Sequence, residues 1–215
     1  MTFEENYFKN RQYTQKERLI KRHVLELICW ASKASHVNLL KGAGKKALDV
    51  GCATGYTSSV LSDLGYETCG VDISRWGTKQ AKYKKENQFV ICDAQDSLPF
   101  FNDAFDLVTC FDVLEHLPSP EKALLGMFTA SKSIIVCTTP NQKVEKVIRK
   151  FTGDYDETHI SVKSPADWKK SVALLGGKLR VDAYFDCPVL VRGKLFFKSV
   201  RIPTYGLTVR IAVWK

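Results

Sequence analysis

The fold is decided by Ala47-Leu48-Asp49-Val50-Gly51-Cys52-Ala53-Thr54-Gly55, an apolar run that ends in a glycine-bearing turn. About twenty residues further on, Val71-Asp72-Ile73 places a carboxylate at the end of a second apolar run. A strand, a tight turn, a helix and a second strand that ends in an acid form the unit that holds a nucleotide at the edge of a parallel sheet. The stretch therefore predicts an α/β fold with a nucleotide-sized pocket.

Each residue type in this stretch suits contact with such a ligand. Gly51 and Gly55 have no side chain and can adopt backbone angles closed to other residues, so a ligand can lie directly against the turn. The helix predicted to begin near Gly55 points free N–H groups toward that ligand, which favours a carboxylate or phosphate there. Asp72 can accept hydrogen bonds from the two hydroxyls of a ribose and would repel a ribose phosphate.

The spacing of the turn argues against a dinucleotide. Dinucleotide turns follow G-x-G-x-x-G, which lets a pyrophosphate approach closely, whereas this chain has Gly51-x-Ala53-x-Gly55. Asp49, two residues before the turn, suits a ligand that carries a positive amine. S-adenosylmethionine has an amino-acid end, a ribose and an adenine, and it meets these requirements.

The chain resembles the class I S-adenosylmethionine-dependent methyltransferases, and in particular small-molecule methyltransferases of the ubiquinone-pathway type. Ala53 replaces the usual middle glycine, and the Pro-Gly-Gly turn common before the fifth strand is absent at 130–132. Alanine is small enough for the turn, so the cofactor interpretation stands. Six segments between Lys46 and Gly177 carry the resemblance in the family's order: Asp49–Gly55, Val71-Asp72-Ile73-Ser74, Cys92-Asp93-Ala94, Phe105-Asp106-Leu107-Val108, Phe111–Leu117 and Thr139-Pro140-Asn141.

This resemblance implies which residues hold the cofactor. Ile73 would lie against the face of the adenine, Asp93 would accept a hydrogen bond from the adenine amine, and the Ala94 backbone would meet a ring nitrogen. The expected cofactor-binding residues are Asp49, Gly51, Cys52, Ala53, Gly55, Asp72, Ile73, Asp93, Ala94 and Phe111.

The apolar runs predict a Rossmann-like, doubly wound sheet of seven strands, mostly parallel, with helices on both faces. Strands are expected near 46–50, 67–72, 88–92, 105–110 and 133–138, and helices near 56–64, 74–86, 120–130 and 142–150. Alternation of apolar and polar residues over 179–185 and 207–213 predicts a closing pair of strands. The resemblance implies that the last strand runs antiparallel to the rest. An apolar stripe also predicts a helix from about Gln15 to Leu40, which is expected to pack on the domain and to roof the cofactor.

A single methyltransferase domain is expected over residues 1–215, because this length suits one doubly wound domain. Residues 1–45 would form a helical cap and 46–177 the cofactor-binding core. The core would include a lid-like insertion near 140–163, and residues 178–215 would supply the closing strands.

Composition bounds the location and the partners. Seven cysteines are scattered without a C-x-x-C pair, which indicates free thiols and a cytoplasmic protein. No apolar leader or membrane span is expected. The net charge is +9, and residues 1–46 hold ten Lys/Arg against four Asp/Glu. Such basic ends can attract RNA, but scattered lysines also keep a protein soluble, and no arginine-rich motif favours nucleic acid. The oligomeric state is not indicated.

The chemistry expected from the resemblance is methyl transfer to a hydroxyl of a small molecule. Positioning and exclusion of water supply most of the rate, and a base is needed to take the proton of a hydroxyl. His116, just past the fourth strand, and His159, in the insertion, are the candidate catalytic residues. Either histidine could instead hold a loop by bonding a backbone carbonyl. No metal belongs to this interpretation.

Two alternatives remain open at this stage. Asp112, Glu115, His116 and His159 offer ligand types for a divalent metal, and their pattern is similar to that of small-RNA 3′-terminal 2′-O-methyltransferases. The chain would then be an RNA 2′-O-methyltransferase. A non-catalytic binding protein of the methyltransferase fold is the second alternative, although Asp49 and Asp72 are both retained.

Overall fold

The computed structural model describes residues 3–10, 17–82, 87–152, 156–191, 194–202 and 206–215. Seven helices in these ranges are α1 (Glu5–Asn10), α2 (Glu17–Ser35), α3 (Tyr56–Asp63), α4 (Arg75–Lys82), α5 (Pro120–Ala130), α6 (Gln142–Thr152) and α7 (Pro165–Ala173). Eight strands are β1 (Lys46–Val50), β2 (Glu67–Asp72), β3 (Gln88–Ile91), β4 (Phe105–Phe111), β5 (Ser131–Pro140), β6 (Lys178–Val191), β7 (Lys194–Arg201) and β8 (Thr208–Trp214). A 3₁₀ turn covers Leu114–His116.

One sheet joins the strands in the order β3-β2-β1-β4-β5-β8-β6-β7. The pairs from β3 to β5 are all parallel, and the order reverses beside β1, which is where doubly wound sheets bind ligands. β8 pairs antiparallel with both β5 and β6, so the expected closing pair and the antiparallel last strand are confirmed.

The sheet has eight strands rather than seven. β6 continues to Val191, and β7 pairs antiparallel with its second half, from Tyr184 opposite Arg201 to Val191 opposite Lys194. The alternation in the sequence predicts only the first half of β6, which is the part that pairs with β8, from Lys178 opposite Trp214 to Tyr184 opposite Thr208. The second half and β7 form an edge hairpin, a minor difference that leaves the parallel core unchanged.

Helices cover both faces of the sheet, as predicted. Neighbouring residues of one strand belong to different cores: Leu107 packs with α2 and α3, while Val108 packs with α5 and α7. Ile134 and Ile135 divide in the same way on β5. Strands buried on both faces need continuous apolar runs, which explains why β1, β4 and β5 read so clearly in the sequence.

The helix expected to roof the cofactor packs elsewhere. The described part of that segment, α2, buries Leu27, Ile28 and Ala31 against one face of the sheet. The apolar stripe of α2 therefore packs against the core. No described α2 residue lines the cavity at the carboxyl ends of the strands. The helix therefore packs on the domain as expected, but the expected position over the cofactor is wrong for its described part. The start predicted at Gln15 and the end of the helix predicted over 74–86 lie outside the described residues.

α7 was not predicted, although the sequence carries its signal. Ser164 caps the helix by accepting a hydrogen bond from the Asp167 amide at 3.2 Å, and Pro165 occupies the first turn. Trp168 and Val172 then bury completely. In the ranges that the structure describes, no helix combines the length and apolar character needed to cross a membrane.

Candidate active site

A cavity of about 470 Å³ opens at the carboxyl ends of the parallel strands. Its floor and walls follow the ends of β1, β2, β3 and β4, which is the edge that topology reserves for ligands. Residues from the N-terminal segment and from the chain after α6 complete it. The lining residues on which the following argument draws are Phe3, Tyr7, Phe8, Gly51, Ala53, Asp72, Ile73, Asp93, Ala94, Phe111, Asp112, Val113, His116, Leu117, Pro118, Thr158 and Ile160.

The glycine turn after β1 forms the floor. Gly51 has a φ of +75°, and a Cβ placed on it would lie 2.1 Å from Val113 Cγ2. The amides of Gly51 and Cys52 both donate to the Val71 carbonyl, at 2.8 and 3.0 Å, which ties the turn to β2. Only glycine fits at position 51, because any side chain would collide with the wall opposite. The turn therefore presents bare backbone to the cavity.

Asp72 is fixed at the end of β2 by two backbone amides. Oδ2 accepts from the Ala53 amide and Oδ1 from the Ser74 amide, both at 2.7 Å. Burial raises the pKa of this carboxyl, and the two hydrogen bonds oppose the shift. Each oxygen retains a further lone pair, so the carboxylate can accept two more hydrogen bonds from a ligand.

An apolar wall follows directly. Ile73 lines the cavity with 49% of its surface exposed, which is high for a large aliphatic side chain beside a core. Asp93 and Ala94 line the same end, and Asp93 Oδ1 accepts from the Gln95 amide at 2.9 Å. This end combines a flat apolar surface with an anchored acid.

Asp49 lies under the floor rather than in the cavity lining. It is 2% exposed, and its carboxylate accepts from Ser58 Oγ at 2.6 Å and from Thr109 Oγ1 at 3.1 Å. Burial raises its pKa to about 6, against the effect of these hydrogen bonds. Asp49 thus joins β1 to α3 and β4 beneath the turn.

Aromatic residues of the N-terminal segment roof the cavity. Phe8 of α1 stacks on Trp76 of α4, with ring centroids 5.2 Å apart, and the Trp76 amide donates to Glu4 Oε2 at 3.3 Å. Phe3 contacts the ring of His116 at 5.3 Å. This roof places apolar surface over the floor and helps to exclude water.

An imidazole pair lies where the chain after β4 meets the cavity. The rings of His116 and His159 are 4.8 Å apart, edge to face. Burial lowers the pKa of His116, and the nearby His159 lowers it further. His116 lines the cavity, whereas His159 does not; its Nδ1 is 2.7 Å from Glu145 Oε1.

Glu115 lies behind this pair. It is 1% exposed, its Oε2 has no hydrogen-bond partner among the described residues, and burial raises its pKa well above the usual range. Ligand atoms of Glu115, His116 and His159 all lie within 4.8 Å of one another, so these three could hold a divalent cation.

Asp112 does not join that cluster. It adopts a φ of +54°, and its Oδ1 accepts from Thr138 Oγ1 at 3.0 Å. Asp112 and Glu115 do not lie on one face of a helical turn, because Asp112 has a left-handed conformation and the 3₁₀ turn starts only at Leu114. Three of the four proposed ligands come together.

Comparison with known proteins identifies the family. Residues 18–178, more than half of the chain, match a family profile described as a methyltransferase domain. The chain belongs to this methyltransferase family.

Curated relatives of this methyltransferase include ubiquinone biosynthesis O-methyltransferases. The protein of Thiobacillus denitrificans is 35% identical over 83 residues, which are 36% of each chain. The protein of Psychrobacter arcticus is 27% identical over 157 residues, covering 66% of this chain and 60% of that protein. The chain thus spans less than two thirds of the length of these relatives.

Solved structures share the fold. A SAM-dependent methyltransferase from Archaeoglobus fulgidus has a TM-score of 0.74 at 22% identity, covering 98% of this chain and 100% of that one. Magnesium protoporphyrin IX methyltransferase from Synechocystis, with bound SAH, has a TM-score of 0.63 at 18% identity, covering 94% and 87%. The Rossmann-like methyltransferase architecture is confirmed.

The structure brings most predicted site residues of this methyltransferase to one cavity. Those in its lining are Gly51, Ala53, Asp72, Ile73, Asp93, Ala94, Phe111 and His116. Those beside or beneath it are Asp49, Cys52, Gly55 and His159. Sequence reasoning expected an N-terminal cap and a lid-like insertion near 140–163, but it did not single out the residues of these segments that line the cavity, namely Phe3, Tyr7, Phe8, Thr158 and Ile160. The cluster of aromatic residues over 3–8 was the available signal.

Proposed function

We propose that this methyltransferase uses S-adenosylmethionine to methylate a hydroxyl group of a small molecule. The observation that carries the proposal is the Asp72 carboxylate, held by two amides at the rim of a floor made of bare backbone. An acid with free lone pairs beside such a turn is suited to ribose hydroxyls.

The residues present fit this cofactor. Asp72 would hold the ribose, and the exposed face of Ile73 offers apolar surface that an adenine would cover. Asp93 and Ala94 would meet the adenine edge, and the Gly51 turn with Phe111 would face the remaining, amino-acid end. Asp49, Cys52 and Gly55 do not line the cavity, and their proposed role is to support the turn rather than to touch the cofactor.

When bound, the cofactor supplies a methyl group on a positively charged sulfur, so that a sulfur–carbon bond is exchanged for an oxygen–carbon bond. The chain must then orient the acceptor and take its proton. His116 is the proposed base, because it lines the cavity and its lowered pKa keeps it unprotonated at neutral pH. His159 contributes by lowering that pKa and remains a predicted participant.

The volume of the cavity and the apolar residues that line it with His116 support a small acceptor. Phe3, Leu117, Pro118 and Ile160 surround His116 with apolar surface inside one cavity of about 470 Å³. The curated relatives described above are O-methyltransferases by name. The segment near 140–163 is proposed as part of a lid, since Thr158 and Ile160 reach the cavity.

The alternatives receive less support. RNA methylation rested on a metal quartet, of which only three members come together, and on basic ends that lie partly outside the described residues. A non-catalytic role would leave the assembled cavity and its unprotonated base unexplained. A cytoplasmic location is proposed because six of the seven cysteines are free thiols, namely Cys29, Cys52, Cys69, Cys92, Cys110 and Cys137.

Calorimetric titration with S-adenosylhomocysteine tests the cofactor site. Asp72→Ala should weaken binding by about 100-fold, since hydrogen bonds to a charged group are each worth about 1.5–3 kcal/mol. Asp96→Ala is the matched control, because Asp96 is an exposed acid outside the cavity and should leave affinity unchanged. Absence of binding to the wild-type protein would overturn the proposal.

The acceptor is tested separately by transfer of a labelled methyl group to metabolite and RNA pools. The expected label is in small molecules, as an ether stable to mild base. Label confined to RNA would contradict the proposed acceptor while leaving the cofactor site intact.

A further inference from the structure

Three residues form a hydrogen-bonded chain that leads into the cavity. Asp156 Oδ1 accepts from Thr158 Oγ1 at 2.6 Å and from the Thr158 amide at 3.0 Å. Thr158 Oγ1 is in turn 2.7 Å from His116 Nδ1. The side chain of His116 is therefore joined, through one hydroxyl, to a carboxylate on the segment that follows α6.

The direction of each hydrogen bond follows from the number of protons. A threonine hydroxyl has one proton, and an aspartate carboxylate can only accept, so that proton lies between Thr158 and Asp156. The Thr158 oxygen must then accept from His116, and Nδ1 must carry a hydrogen. The Thr158 carbonyl, which can only accept, lies 3.3 Å from the same nitrogen and requires the same arrangement.

This arrangement leaves Nε2 of His116 as the unprotonated nitrogen. Both hydrogen bonds of the ring within the described residues use Nδ1, and the ring lines the cavity. The side chain of free histidine prefers the opposite tautomer, with the proton on Nε2, and in that form Nε2 could not act as a base toward an acceptor. The chain through Thr158 thus reverses an intrinsic preference.

We propose that Thr158 and Asp156 are positioning residues that hold His116 in the Nδ1–H tautomer, so that Nε2 takes the proton of the methyl acceptor. This inference rests on the proposed function. The acceptor O–H bond breaks and its proton passes to Nε2 as the new oxygen–carbon bond forms and the sulfur–carbon bond breaks. The imidazolium that results still donates a hydrogen bond from Nδ1 to Thr158 Oγ1, and the Thr158 hydroxyl still donates its own proton to Asp156.

Neighbouring groups are consistent with this role. His159 packs edge to face on His116, and Phe3 covers the ring from the N-terminal segment. The cation formed during turnover is stabilised by the carboxylate behind Thr158, much as a buried aspartate orients a catalytic histidine elsewhere. The role of Thr158 is separate from that of the adenine-side residues. Those residues follow β2 and β3, whereas Thr158 contacts His116, which follows β4.

Thr158→Val tests the proposal, with Thr158→Ser as the matched control. Valine has nearly the same shape but no hydroxyl, whereas serine retains it. Thr158→Val should lower kcat by about tenfold. This is less than the full contribution of a base, about 10²–10⁴-fold, because the backbone carbonyl of residue 158 still accepts a hydrogen bond from Nδ1. In Thr158→Val, the affinity for S-adenosylhomocysteine and the KM for the acceptor should change by no more than about twofold. Thr158→Ser should keep a kcat close to that of the wild type.

A spectroscopic signature distinguishes tautomer control from simple loop damage. In ¹⁵N-histidine-labelled protein, which has four histidines, the His116 signals are assigned by their loss in His116→Gln. The wild type should show a protonated Nδ1 and a bare Nε2, and Thr158→Val should shift toward protonated Nε2. Asp156→Ala should shift the same way, because the hydroxyl proton is then free to point at Nδ1.

Several outcomes would overturn the proposal. One is a wild-type His116 with its proton on Nε2, and another is an unchanged tautomer and kcat in Thr158→Val. A third is that a chelator abolishes wild-type turnover, that Zn²⁺ or Mg²⁺ restores it, and that the added metal shifts the Nε2 signal. This result would show that Nε2 binds a metal ion. In each case the wild-type protein would still bind S-adenosylhomocysteine, and without a chelator it would still transfer the methyl group, so the proposed function would survive.

Discussion

Replacing Gly51 by alanine should cost this protein more stability than the same change at Gly44. The two glycines have the same φ of +75°, but a Cβ on Gly51 would lie 2.1 Å from Val113 Cγ2, whereas nothing lies within 4 Å of one on Gly44. The pair therefore separates backbone strain from steric overlap. Strain alone acts at Gly44, and both act at Gly51.

The magnitudes follow from these contacts. An alanine in the left-handed region costs about 1–2 kcal/mol, reduced by about 0.4–1 kcal/mol because the unfolded chain is also restricted. Gly44→Ala should therefore lower the free energy of unfolding by about 1 kcal/mol. Overpacking adds about 1–3 kcal/mol, so Gly51→Ala should lose about 2–4 kcal/mol. It should also weaken S-adenosylhomocysteine binding, because Val113 and the turn both face the cavity.

Urea denaturation of both variants at equal concentration measures the difference, and calorimetry measures the affinity. The double variant Gly51→Ala/Val113→Ala serves as a further control, because it removes the methyl group that collides. It should recover part of the excess loss at Gly51 after correction for Val113→Ala alone. Equal losses at Gly44 and Gly51, or no coupling with Val113, would refute the account of the floor as a turn that only glycine fits.

Other predictions concern the buried acid, the roof and the apolar wall. Because burial raises the folded-state pKa of Asp49 from 3.8 to about 6, the stability of the wild type should fall as pH rises through that window. Asp49→Asn should flatten this fall and gain up to about 3 kcal/mol above pH 6, less about 1 kcal/mol for a weakened hydrogen bond, by denaturation across pH 4–8. Phe8→Ala removes the stack on Trp76 and should weaken S-adenosylhomocysteine binding by about tenfold, with a smaller effect on unfolding because α1 can undock alone. Ile73→Ala should change stability by less than about 0.5 kcal/mol, since the side chain is half exposed, yet lower the affinity several-fold in the same titration.

The parallel core was predictable because its signals are local. β1, β2 and β4 are buried on both faces, so their apolar runs appear in any window of five or six residues. The turn at Gly51 and the acid at Asp72 follow from backbone geometry and hydrogen-bonding capacity, which residue type alone restricts. These local constraints made the fold and the nucleotide end of the cavity accessible from sequence.

Other features were decided by contacts between distant segments. The apolar stripe of α2 does not indicate in the sequence which surface it will cover. The sheet and the cavity both offer apolar surface to such a helix. The conformation of the loop after β4, where Asp112 has a φ of +54°, was likewise not predicted from the sequence.

By itself, then, the sequence determined the doubly wound sheet, the glycine turn and the acid at Asp72, because each depends on residues adjacent in the chain. Only the tertiary structure decided which aromatic residues roof the cavity, which acid lies beneath it, and which ring nitrogen of His116 is hydrogen-bonded to Thr158. That last choice depends on Thr158, 42 residues away along the chain. Its hydroxyl proton is directed by Asp156, and no local pattern encodes such a three-body arrangement.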